Sequence, residues 1–197
     1  MRVDDLDRFD AGSGPQSFGR SRVLPQSLAV DISFVASCLD PANVDHEACS
    51  AYLGRLTDAG TVLFFTDLTE LQLHDVARSL QSAERPSASG SRPSGRGGLG
   101  AVPRTPEDVF DRWRTLVAST EAMYCELPEV IEGTWAVMAE HDIDAARAAL
   151  VSLAKVTQAQ GLATTDTAFA AVALTTLPIF VPDRVADAIL HEQRSWE

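Results

Sequence analysis

Apolar residues fall into two kinds of pattern along this chain. Three short runs are almost continuously apolar: Leu28-Ala29-Val30-Asp31-Ile32-Ser33-Phe34-Val35, Thr61-Val62-Leu63-Phe64-Phe65-Thr66 and Pro178-Ile179-Phe180-Val181. Short β-branched and aromatic runs of this kind, bounded by turn residues, are expected as buried strands. Elsewhere the apolar residues recur at helical spacing. Ala48, Tyr52, Leu56 and Ala59 predict a helix over about 44–58, stopped by Gly60. A helix from Asp67 to about 81 follows the second strand, with Asp67 and Glu70 at capping-box spacing. Thr105-Pro106-Glu107-Asp108 opens a helix expected to reach about 125, with Val109, Phe110, Trp113, Leu116 and Val117 along it. Pro128 marks a break. Further helices are expected over about 129–140, over about 145–159, from Thr167 in an Ala-rich stretch, and after Asp183. Strands alternating with helices in this way predict an α/β domain with a short parallel sheet.

Two segments lack either period. Residues 1–23 mix Asp, Arg, Gly, Ser and Pro and are expected to form a flexible tail. Residues 82–103 form a Ser/Gly/Arg-rich loop carrying Arg85, Arg92 and Arg96. The rest, 24–197, is long enough for one domain with a substantial core. No apolar run approaches the roughly 18 residues of a membrane helix, and the acidic start is unlike a signal peptide, so a cytoplasmic protein is expected. Cys38, Cys49 and Cys125 lack zinc-site spacing and are expected as small buried hydrophobes, with His46 and His141 on the surface. The net charge of −12 opposes generic nucleic-acid binding. It does not oppose a nuclease whose own carboxylates hold metal ions.

Four acids sit where a parallel sheet would gather them. Asp31 interrupts or ends the first strand, Glu70 opens the helix after the second, Asp166 opens the Ala-rich helix, and Asp183 follows the last strand. Strand C-termini and the helix N-termini that follow them share one edge of such a sheet, where ligands bind. Converging carboxylates repel unless a cation lies between them, and hard divalent cations such as Mg²⁺ or Mn²⁺ suit an all-oxygen set. Each acid also has a purely structural role open to it, as helix cap or turn residue.

At these residues the chain resembles the PIN-domain family. Val30-Asp31-Ile32-Ser33 resembles its first motif, Thr66-Asp67-Leu68-Thr69-Glu70-Leu71 its second, Thr164-Thr165-Asp166 with the Ala-rich helix its third, and Phe180-Val181-Pro182-Asp183 its fourth. The chain departs from the family pattern in the long stretch 82–143, including a helical insertion at about 104–143, and in Pro182 beside the fourth acid. The resemblance implies a three-layer α/β/α domain and a metal-dependent ribonuclease, distantly similar to VapC-type toxins. Asp31, Glu70 and Asp166 would be its catalytic residues. The same three with Asp183 would hold Mg²⁺ or Mn²⁺, with Ser33 in support and Arg85, Arg92 and Arg96 as candidate RNA contacts. RNA would be the substrate, and an antitoxin or other protein, or a second copy in a homodimer, would be the partner. Two alternatives stand beside it: a PIN-like scaffold for protein interaction without catalysis, and a mainly helical binding protein whose acids are only caps.

Overall fold

The structure is a computed structural model and describes residues 14–83, 105–173 and 177–194. Six parallel strands form one sheet: β1 (Gln16–Ser17), β2 (Ser27–Val30), β3 (Val62–Thr66), β4 (Glu121–Cys125), β5 (Leu162–Ala163) and β6 (Ile179–Val181), in the order β1-β6-β5-β2-β3-β4. From β2 the chain winds outward to β3 and β4, then returns across the sheet to β5 and β6. That reversal leaves β2 and β5 as neighbours whose connections leave in opposite directions. In open α/β sheets such a switch point opens a crevice at the strand C-termini.

Strand alternation divides the core into two layers. Leu28, Val30, Leu63, Phe65, Ala163 and Phe180 face one side. There they meet α1 (Ile32–Leu39), α2 (His46–Asp58), α3 (Asp67–Ala83) and α4 (Pro106–Ser119), through Phe34, Tyr52, Leu73 and Trp113 among others. Ala29, Leu162, Ile179 and Val181 face the other side. That layer holds α5 (Leu127–Ile131), α6 (Thr134–His141), α7 (Ala145–Val156), a 3-10 turn (Thr167–Phe169), α8 (Ala170–Ala173) and α9 (Asp183–Arg194). The expected α/β architecture with helices on both faces is present.

Several elements differ from the expectation. The first apolar run is a strand only as far as Val30, and Ile32–Leu39 is helix. Phe34, Val35 and Leu39 make one buried stripe at helical spacing, which a short apolar run cannot distinguish from a strand. The helix expected over 105–125 stops at Ser119, and Glu121–Cys125 pairs in register with Val62–Thr66. The stretch 104–143 is therefore more than a helical insertion, because it supplies the outer strand. Leu162–Ala163 is a strand the pattern did not announce.

The expected tail is also shorter. Gln16–Ser17 pairs with Phe180–Val181, and Phe18 is buried with its ring stacked 4.1 Å from that of Tyr52. Arg55 donates to the carbonyls of Phe18 and Ser21 at 2.8 and 2.6 Å. Residues 1–13 lie outside the described residues, as does nearly all of the 82–103 loop with Arg85, Arg92 and Arg96. Among the described residues no helix is long and apolar enough to cross a membrane.

Candidate functional site

The crevice at the switch point is a cleft of about 220 Å³, lined by Asp31, Ser33, Thr66, Thr69, Gln72, Asp144, Arg147 and Asp166 among others. Asp31 is the residue where β2 hands over to α1. Its backbone is extended (φ −82°, ψ 150°) and its amide donates to the Ala163 carbonyl of β5 at 3.0 Å. Strand pairing thus fixes its position. Its Oδ2 accepts from the Ser33 hydroxyl and from Thr164 Oγ1, the latter at 2.7 Å.

Those two hydroxyls are themselves anchored. Ser33 Oγ lies 3.0 Å from Thr164 Oγ1 and accepts from the Thr165 amide at 3.0 Å. Thr164 Oγ1 accepts from the Asp166 amide at 3.0 Å. One hydrogen-bonded network therefore ties the end of β2 to the turn after β5. Burial pushes the Asp31 carboxyl above the ordinary carboxylate range; the Ser33 and Thr164 hydroxyls oppose that, and the charge of Asp166 adds to the rise.

Asp166 caps the 3-10 turn, its Oδ1 accepting from the Ala168 amide at 2.9 Å. Its Oδ2 accepts from Arg147 Nε at 2.7 Å and lies 2.7 Å from Nη2. The third nitrogen of the same guanidinium, Nη1, pairs with Asp144. Asp144 caps α7 through its Oδ1 and the Arg147 amide at 2.9 Å. Arg147 thus draws two carboxylates of the cleft onto one guanidinium. Charge-assisted bonds of this kind are stronger than neutral ones.

The expected constellation assembles in part. Asp31, Asp166 and the supporting Ser33 meet in the cleft. Glu70 does not line it. Its carboxylate accepts from Trp113 Nε1 of α4 at 3.3 Å and lines a second cleft with His74, Phe110 and Arg114. The turn of α3 that reaches the switch point presents Thr69 and Gln72 instead. Asp183 lies away from it at the start of α9. It is bonded to the Ser17 hydroxyl and, at 3.0 Å, to the Gly19 amide. The Ser17 hydroxyl, the Gly19 amide and the charge of Arg20 hold its carboxyl below the usual range.

Asp144, Arg147, Thr164 and Gln72 were not among the expected site residues. The phase of α3 held a signal: Leu73 and Ala77 mark a buried stripe that continues to Thr69, and the half-buried Val76 widens it on the side of Gln72, opposite the side on which Glu70 lies exposed. His141 is buried rather than on the surface, Cys49 is buried, and Cys38 and Cys125 pack partly buried against the two core layers.

A Mg²⁺ or Mn²⁺ ion needs several oxygen ligands and excess negative charge. In this cleft Gln72 contributes a neutral amide, while both oxygens of Asp144 and both of Asp166 are taken by Arg147 or by backbone amides. Among the described residues no group of three or more His, Cys, Asp or Glu side chains is arranged to hold a metal. The residues as placed do not fit a divalent cation. No family model matches the chain, and no curated protein matches it significantly.

Proposed function

We propose that this chain is a PIN-like domain acting as a protein-interaction scaffold rather than as an assembled metal-dependent ribonuclease. The observation that carries the reading is the make-up of the cleft: of Asp31, Glu70, Asp166 and Asp183, only Asp31 and Asp166 meet there. A metal-dependent hydrolysis needs a charged oxygen set that holds the ion and leaves room for water and substrate. Of the three carboxylates that line the cleft, Asp144 and Asp166 are both held by Arg147, which leaves Asp31 alone to offer a charged oxygen, and that falls short of such a set. An interaction role has support in β4, the outer strand of the sheet, where Met123 and Tyr124 are exposed. An edge strand of this kind accepts an added strand from a partner protein. Ile131 and Trp135, in the helices that follow, are exposed as well.

The second reading is a Mg²⁺- or Mn²⁺-dependent ribonuclease, favoured by Asp31 and Asp166 sharing the cleft. It requires Glu70 to leave Trp113 and turn toward the switch point, and Arg147 to release Asp166. An RNA cleavage assay with either metal separates the two. The scaffold reading expects wild type to match Asp31→Asn at background level. Metal-dependent cleavage by wild type that Asp31→Asn abolishes would establish the ribonuclease instead.

A further inference from the structure

We propose that Arg147 is a built-in counter-cation. It fills the electrostatic role that a divalent ion would otherwise have between the carboxylates of the cleft, and so makes this part of the fold independent of metal. The proposal deepens the scaffold reading and rests on it.

The placement of Arg147 carries the argument. Its guanidinium is positioned by its own helix, because Asp144 caps α7 and accepts from the Arg147 amide at 2.9 Å. The side chain then reaches across to the turn after β5. Nε and Nη2 both engage Asp166 Oδ2 at 2.7 Å, while Nη1 engages Asp144. Among the described residues only one further carboxylate, Asp31, lines the cleft. Its Oδ2 is held by two hydroxyls, Ser33 and Thr164.

The pair is only partly exposed, with side-chain exposures of 35% for Arg147 and 26% for Asp166. The attraction is therefore less screened than that of a surface pair. Arg147 also ties the start of α7 to the turn after β5, the strand that follows it, which lies beside β2. Without it, Asp31, Asp144 and Asp166 would border one cleft with no positive group among the residues lining it. Like charges so placed favour any cation that can enter.

The test is thermal denaturation of the full chain with and without Mn²⁺, at matched ionic strength set with NaCl. Three proteins are compared: wild type, Arg147→Met, which keeps length without charge, and Arg147→Lys, which keeps the charge without the fork. Wild type and Arg147→Lys are expected to show no Mn²⁺-specific change in Tm. Arg147→Met is expected to have a lower Tm, and about 5 mM Mn²⁺ is expected to raise it by roughly 5 °C or more, saturably and beyond the NaCl control.

An Arg147→Met protein that unfolds without Mn²⁺ and folds with it would support the proposal equally. No Mn²⁺-specific effect on Arg147→Met, folded or unfolded, would overturn it. So would a Mn²⁺ response in Arg147→Lys as large as in Arg147→Met. The scaffold reading fails separately, if wild type cleaves RNA.

Discussion

Burial raises the pKa of Asp31, a partly buried carboxylate next to Asp166 with hydroxyls as its side-chain partners. A carboxyl whose folded pKa lies above its unfolded value favours the protonated fold. That contribution is whole below the unfolded pKa and is lost as pH rises through the folded one. Asp31→Asn removes the charge and keeps the shape, so it is expected to raise Tm at neutral pH. The gain should fade as pH falls into the ordinary carboxylate range. Each kcal/mol gained would appear as about 2–4 °C in a chain of this size. Melting curves of both proteins across pH check this, and a lower Tm for the variant at neutral pH would show that the carboxylate is stabilised by its surroundings. At this scale the sequence was legible where strand geometry decides position. Asp31 and Asp166 follow paired strands, β2 and β5, and meet. Glu70 sits on a helix, where one position of phase is 100° of direction, and capping-box spacing says nothing about that direction. The partner that turns it away, Trp113, is 43 residues distant in sequence.

Among the elements, β5 is the shortest strand beside the site and depends most on close packing. A Cβ at Gly161 would lie 2.5 Å from a Phe180 ring carbon and 2.8 Å from the Pro178 carbonyl oxygen. Both neighbours belong to the adjoining strand region, and Phe180 is fully buried, so neither has room to retreat. Gly161→Ala is expected to cost about 1–3 kcal/mol, the range for overpacking, and to lower Tm accordingly. The N-terminal strand offers a second test. Asp183 accepts from Ser17 and Gly19, and its depressed pKa means that its contribution is present above the unfolded pKa and is lost as pH falls through the folded one. Asp183→Asn is expected to loosen β1 from β6. The Phe18 amide, which donates to the Val181 carbonyl at 2.8 Å, should then exchange faster with solvent while β2 and β3 stay protected. Uniform protection in the variant would place the anchor in Arg55 and Phe18 instead. Short or exposed strands explain most of what the pattern missed. β1 and β5 have two residues each, too few for a period, and β4 is largely exposed, so Glu-Ala-Met-Tyr-Cys carries no apolar alternation. Tertiary pairing with β3 makes it a strand.

On the scale of the whole molecule, the order of apolar runs and helical segments was enough for the α/β class, because parallel strands need covering crossovers and the chain spells both. The position of the cleft followed from the same rule. Its chemistry did not, because Arg147 on α7 and Asp144 at its cap lie in a stretch whose apolar spacing announced only a helix. What matters most is that Arg147 already engages Asp144 and Asp166 within the fold, so that the cleft holds no divalent ion. Direct titration of the wild-type chain with Mn²⁺, followed by the loss of the free-ion paramagnetic resonance signal, tests it most directly. No saturable uptake at millimolar Mn²⁺ is expected, and no difference between wild type and Asp31→Asn. One or two ions bound stoichiometrically by wild type, and lost in Asp31→Asn, would contradict it.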